Sequence, residues 1–233
     1  KRWFYHNDTV PGFDGPPWAW SAASNKNGFA YPSNDGPCWI TLLNPDNRIT
    51  YDLSLKNNAK CKAIGGSAIL HDIALIPVVV EDKLFLSWRQ CQPEAVWEIV
   101  SPINQESVEF GGSFLGAAAL DGINVFWSGI LGYLSANIEH GIPEVKWHAW
   151  ATQSVGCPQF MPYRDIHNVL WQLSFNRDDN SYYYNHLSSE GTNENRKVDG
   201  PHFAVGNKSF YGDKLYDEPW GNDLRDFYVG IEL

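Results

Sequence analysis

The sequence predicts an all-β domain, a five-bladed β-propeller closed by its N-terminal strand, with a two-sheet β-sandwich as the alternative. Three observations predict it: short strands of period two, turn residues spread evenly along the chain, and an internal repeat of about 46 residues. Aromatic residues make up 15% of the 233 residues and charged ones only 19%, so the chain can fill a large core and is not disordered. The 20 Gly and 14 Pro punctuate it throughout, as many short strands joined by turns require.

The repeat is clearest where Gly65-Gly66-Ser67-Ala68-Ile69-Leu70 recurs as Gly111-Gly112-Ser113-Phe114-Leu115-Gly116. Further copies begin at Pro158-Gln159-Phe160, Pro201-His202-Phe203 and, upstream, Pro17-Trp18-Ala19. A second apolar strand follows in each copy, at 28–31, 84–88, 123–127, 168–171 and 214–216. Four of these follow turns holding Asp82, Asp121, Asp165 or Asp213, whose carboxylates suit hairpin turns by bonding backbone N–H groups. Third and fourth strands are clearest at 132–138 and 145–150. Residues 1–233 therefore read as one domain, with repeats of roughly 17–65, 66–111, 112–157, 158–200 and 201–233 plus 1–10. The last copy reads one strand short, and Arg2–His6 is the spare strand expected to complete it and remove the open edges.

The net charge is −10, and the 17 Lys and Arg are dispersed, which argues against nucleic acid and anionic membrane surfaces. The longest apolar run, 73–80, contains Pro77 and β-branched residues and reads as a buried strand. Lys1-Arg2 opens directly onto an aromatic strand, so any leader is expected to have been removed or never present. Cys38, Cys61, Cys91 and Cys157 have no zinc spacing, and four cysteines permit two disulfides in any of three connectivities. With the sequons Asn7-Asp8-Thr9 and Asn207-Lys208-Ser209 they point to a secreted or extracytoplasmic glycoprotein. No metal and no cofactor is expected.

Chemistry is sparsely signalled. GxGxxG, P-loop and HExxH motifs are absent. Aromatics are the positive signal: Trp88, Trp127, Trp171 and Trp220 fall at or just past the second strand, where they serve packing or stack on a ligand. The variable residue after each repeat's breaker is Trp18, Ser67, Ser113, Gln159 or His202, and in a propeller these line one mouth of the central channel. The ligand is then a carbohydrate or an apolar small molecule.

The unit Gly112-Ser113-Phe114-Leu115-Gly116-Ala117-Ala118, followed by Ile123-Asn124-Val125-Phe126-Trp127 and Gly132-Tyr133-Leu134-Ser135, resembles a blade of the fungal fucose-specific propeller lectins. That resemblance implies a propeller with sugar sites built from an Arg and a Glu in each blade. Here Asn124 stands at the Arg position, and Ser135 or Ala136 at that of the Glu. Arg89 and Arg225 lie outside the family register, so the resemblance bears on architecture more than on fucose.

Two functions follow. The first is a lectin-like carbohydrate-binding propeller, with Trp18, Ser67, Ser113, Trp88, Trp127, Trp171, Trp220, Arg89 and Arg225 as ligand-binding candidates. The alternative is a cofactor-independent lyase, cyclase, isomerase or glycoside hydrolase with one pocket at the channel mouth. His202, Gln159, His167 and Asp165 are its acid–base or hydrogen-bonding candidates.

Overall fold

A computed structural model describes residues 22–33, 35–41, 50–52, 56, 60–103, 115–150, 154–156, 162–176, 178–191, 194–200, 203–205, 208–211, 214–216 and 224–226. These form 22 β-strands and no α-helix. No helix among the described residues is long and apolar enough to cross a membrane.

The strands form five antiparallel sheets, each a run of consecutive strands in chain order. The first holds β1 (Ala23–Ser24), β2 (Gly28–Ser33), β3 (Gly36–Thr41) and β4 (Thr50–Asp52). The second holds β5 (Lys62–Ala63), β6 (Ala68–Leu70), β7 (Ile73–Val80), β8 (Lys83–Gln90) and β9 (Glu98–Val100). The third is β10 (Leu115–Asp121), β11 (Asn124–Gly129), β12 (Gly132–Asn137) and β13 (Glu144–Ala149). The fourth is β14 (Ser154–Gly156), β15 (Tyr163–Arg164), β16 (Leu170–Asn176), β17 (Ser181–His186) and β18 (Asn195–Val198). The fifth is β19 (Phe203–Val205), β20 (Lys208–Tyr211), β21 (Lys214–Tyr216) and β22 (Leu224–Asp226).

Two sequence expectations are corrected here. The last repeat is not a strand short, because β19–β22 already supply four; Arg2–His6 lies outside the described residues. The second-strand alignment also slips in two copies. Residues 84–88 and 214–216 belong to β8 and β21, the third strands of their meanders, whereas 124–127 lie in β11, a second strand. The turns explain the slip. Glu81-Asp82 closes β7 onto β8, and both residues have positive φ, 49° and 62°, as a two-residue type I′ turn demands. His71-Asp72 closes β6 onto β7 in the same way. Successive hairpins thus carry the same Asp signal.

Pro77 explains a second irregularity. β5 and β6 both pair with β7 and leave a gap at 64–67, opposite Ile76-Pro77. The Pro77 carbonyl accepts from Ile64 N on that side, so the N–H that Pro lacks would face the same gap. The chain bulges there, and Gly65 fits because a β-carbon would come within 2.9 Å of Pro77 Cγ. By register Leu70 is equivalent to Asp121 and Ala63 to Leu115, shifts of 51 and 52 residues rather than the 46 of the Gly-Gly-Ser match.

The sheets stack face to face. Strand β7 is buried on both sides, as its apolar run predicts. Ala74, Ile76 and Val78 meet Ala30 and Trp39 of the first sheet. Ile73 and Leu75, with Leu84 and Leu86, meet Val125, Trp127, Leu134 and Val145 of the third. Backbone bonds join the same two sheets, from Gly66 N to Gly116 O and from Leu115 N to Ile64 O. On its other face the third sheet places Phe126 and Tyr133 against Leu170 and Leu187 of the fourth.

No disulfide joins Cys38, Cys61 and Cys91 to one another. Pairing all four cysteines would require one such bridge, so the expected two disulfides do not form. Cys91 packs with Ala30, Trp39 and Trp97, and Cys61 packs against the same cluster. Burial pushes both thiols up to about 11, so they are neutral and inert at neutral pH.

Candidate functional site

The third and fourth sheets meet differently from the rest. Strand alternation puts Asn124, Phe126 and Ser128 of β11 on one face with Tyr133, Ser135 and Asn137 of β12 and with Lys146 and His148 of β13. On the fourth sheet Gln172, Ser174 and Asn185 share a face with Leu170 and Leu187, and all three are buried. Asn185 Nδ2 donates to Ser174 Oγ at 2.5 Å, and Gln172 Nε2 to Leu173 O at 3.1 Å. Packing of this face is therefore largely polar.

At its outer end the two sheets leave a cleft of about 210 Å³. Ser135 and Asn137 line it from β12, and Glu144 and Lys146 from β13. Glu139 and His140 close it from the β12–β13 turn, and Ser189 and Glu190 from the turn after β17. Lys146 Nζ lies 3.6 Å from Glu144 and 3.5 Å from Glu190, bridging the two sheets. Asn137 Nδ2 donates to Asn124 Oδ1 at 3.0 Å, and Asn137 Oδ1 accepts from Glu139 N, which sets the amide's orientation.

Beneath the cleft, Ser135 Oγ is 2.9 Å from His148 Nε2. The imidazole stacks on Tyr133, with ring centroids 4.5 Å apart and planes at 21°. Tyr133 O–H donates to Ser188 O at 2.8 Å, tying the stack to the fourth sheet. Gly191 lies beside the Nδ1 edge of the ring. Its φ is +75° and a β-carbon there would lie 2.9 Å from His148 Nδ1, so only Gly suits the position. Burial first, and the Lys146 charge second, push His148 down to about 4 against an opposing pull from Glu190. Its ring is neutral at physiological pH. Among the described residues no group of three His, Cys, Asp or Glu is placed to hold a metal.

The sequence-predicted residues that the structure describes fall elsewhere. Trp18, Ser113, Gln159, His202 and Trp220 lie outside the described residues, as does the side chain of Arg225. Trp127 is fully buried, donating from Nε1 to Gly66 O at 2.7 Å. Half-buried Trp88 packs against the same core. Trp171 is buried too, with Nε1 bonded to Asp165 Oδ2 at 2.9 Å and the Arg196 guanidinium 5.1 Å over its ring. Asp165 Oδ1 accepts from His167 N and Val169 N, so this carboxylate shapes the β15–β16 turn. The His167 ring points to solvent. Arg89 is buried, 5.1 Å over the Trp39 ring and 5.7 Å over Trp97, with Nη2 donating to Gln92 O. Ser67 is buried in the bulge, with no hydrogen-bond partner for its hydroxyl among the described residues.

None of the described ones among them lines the cleft. Sequence reasoning missed Asn137, Lys146, His148 and Glu190. The signal for the first three was polar residues at alternate positions of the 132–138 and 145–150 strands; Glu190 lies in neither. No protein-family model matches the chain, and no curated protein matches it.

Proposed function

We propose that the protein is a carbohydrate-binding five-bladed β-propeller whose sugar site is the cleft between the third and fourth sheets. Five consecutive antiparallel meanders in chain order, packed first on second, second on third and third on fourth, support the propeller. So does the resemblance of the 112–135 unit to a fungal lectin blade. The cleft carries the functional reading. It offers hydroxyl, amide, carboxylate and ammonium groups in a space well below that of a drug-sized pocket, which suits one hydroxyl-rich ring.

The reading does not rest on the aromatic stacking expected from sequence, because among the described residues no Trp side chain lines the cleft. Secretion rests on the sequons Asn7 and Asn207, the disulfide argument having gone. A second reading, an enzyme with a single pocket, is favoured by the Ser135–His148 hydrogen bond.

A glycan array followed by calorimetry tests the sugar site. The expected result is a monosaccharide-sized determinant bound here, with affinity reduced at least tenfold in Asn137→Ala and in Lys146→Ala, about 1.4 kcal/mol each. An empty array, or binding that neither substitution changes, would overturn the assignment.

A further inference from the structure

The β12–β13 hairpin sets a nucleophile beside a base. Ser135 Oγ and His148 Nε2 are 2.9 Å apart, within reach for proton transfer. Only 3% of Ser135 is open, and it is among the residues lining the cleft. Tyr133, stacked on the imidazole, and Gly191, beside its Nδ1, hold it in place. With Nδ1 carrying the ring proton, Nε2 is free to accept from the Ser135 hydroxyl. Lys146 sits directly opposite Ser135 in the strand register and lines the same cleft.

We propose that Ser135 and His148 form a nucleophile–base pair that hydrolyses small O-acyl esters of hydroxyl-rich molecules, such as O-acetylated sugars, bound in the cleft. The substrate class rests on the sugar reading of the cleft; the pair itself rests on geometry alone. An acetyl group on a sugar ring matches both the polar walls and the small volume. Among the described residues none offers a larger acyl chain an apolar wall.

The chemistry balances without a co-reactant other than water. Ser135 Oγ bonds to the ester carbonyl carbon as its proton passes to His148 Nε2. The bond from that carbon to the sugar oxygen breaks, and His148 returns the proton to the departing hydroxyl. Water then attacks the acetyl-serine, losing a proton to His148. The acyl bond to Oγ breaks, Ser135 regains the proton and acetic acid leaves. The Lys146 ammonium offsets the charge that builds on the carbonyl oxygen. The charged groups facing the imidazole are Lys146 and Glu190, and its titration near 4 leaves the neutral base in place across the neutral range.

The test uses the full chain and a fluorophosphonate probe, with adducts located by peptide mass mapping. Acetate release from glucose pentaacetate is followed in parallel. The expected result is one adduct per chain, on Ser135, formed on the order of 10²–10⁴-fold more slowly in His148→Gln. Acetate release should vanish in Ser135→Ala. The unmutated chain decides the matter even if a variant fails to fold, because no adduct at Ser135, or an adduct on another serine, overturns the pair. Glycan binding without a Ser135 adduct removes the esterase and leaves the sugar site standing. An adduct with an empty glycan array supports the pair and removes the sugar reading.

Discussion

The seam between the second and third sheets and the seam between the third and fourth share one architecture and differ in chemistry. In the first, Leu, Ile, Val and Trp interdigitate, and the polar contacts include Trp127 Nε1 to Gly66 O and two backbone bonds. In the second, a small apolar patch around Phe126 and Leu170 gives way to Gln172, Ser174, Asn185, Ser135 and Asn137. Buried polar groups stabilise a seam only when each finds a partner, and Ser128 Oγ finds none among the described residues. The apolar seam therefore supplies cohesion. The polar seam packs less completely and opens into a cleft at its outer end. A single sheet, the third, serves both purposes because alternation gives it two independent faces.

The largest expected effect comes from weakening the apolar seam. Trp127→Ala removes a fully buried indole and leaves Gly66 O without its donor, and should lower stability by about 3–5 kcal/mol. Urea unfolding measures it, and a loss under about 1 kcal/mol would mean that this seam is not the chief source of cohesion. The next effect belongs to the polar seam and depends on pH. His148 is pushed down to about 4 in the folded chain from the ordinary histidine value of 6.5, so the unfolded chain binds more protons between those values. Stability is then full above about pH 6.5 and falls as the pH drops toward 4. After allowance for solvent screening of this partly open ring, the loss is on the order of 1–2 kcal/mol. His148→Gln should flatten that slope, and an unchanged slope would place the titrating group elsewhere.

The smallest effect lies at the rim. Arg164 of the fourth sheet reaches Asp121 Oδ1 at 3.1 Å and Leu120 O at 2.7 Å on the third. Its exposure limits Arg164→Ala to about 0.5–1 kcal/mol, read from the same unfolding curves. A cost approaching that of Trp127→Ala would reverse the ranking of the two seams.

Much of the all-β fold was legible, and the physical reasons are specific. Period-two alternation at 132–138 and 145–150 located β12 and β13 closely, and the apolar run at 73–80 marked a strand buried on both faces. The count within each repeat was less legible. Asp82 and Asp121 lie at turns between different pairs of strands, and nothing local distinguishes one antiparallel hairpin from the next. The Gly-Gly pair at 65–66 looked like a repeat boundary. It instead accommodates Pro77, twelve residues from Gly65 in sequence and in contact across the sheet.

The candidate site was scarcely legible. Tyr133 and His148 are register partners, and Ser135 meets His148 on the diagonal, a relation set by where the β12–β13 turn closes. Glu190 and Gly191 come from another sheet altogether.

The amino-acid order by itself determined strand periodicity, the density of turns and the supply of buried aromatic side chains, because each depends on near neighbours and on the dihedral preferences of single residues. Only the tertiary structure decided which aromatic rings were consumed by packing and which polar residues were left facing a cleft. That choice depends on which faces of two sheets meet, and side chains from distant parts of the chain share a seam only after the sheets have stacked.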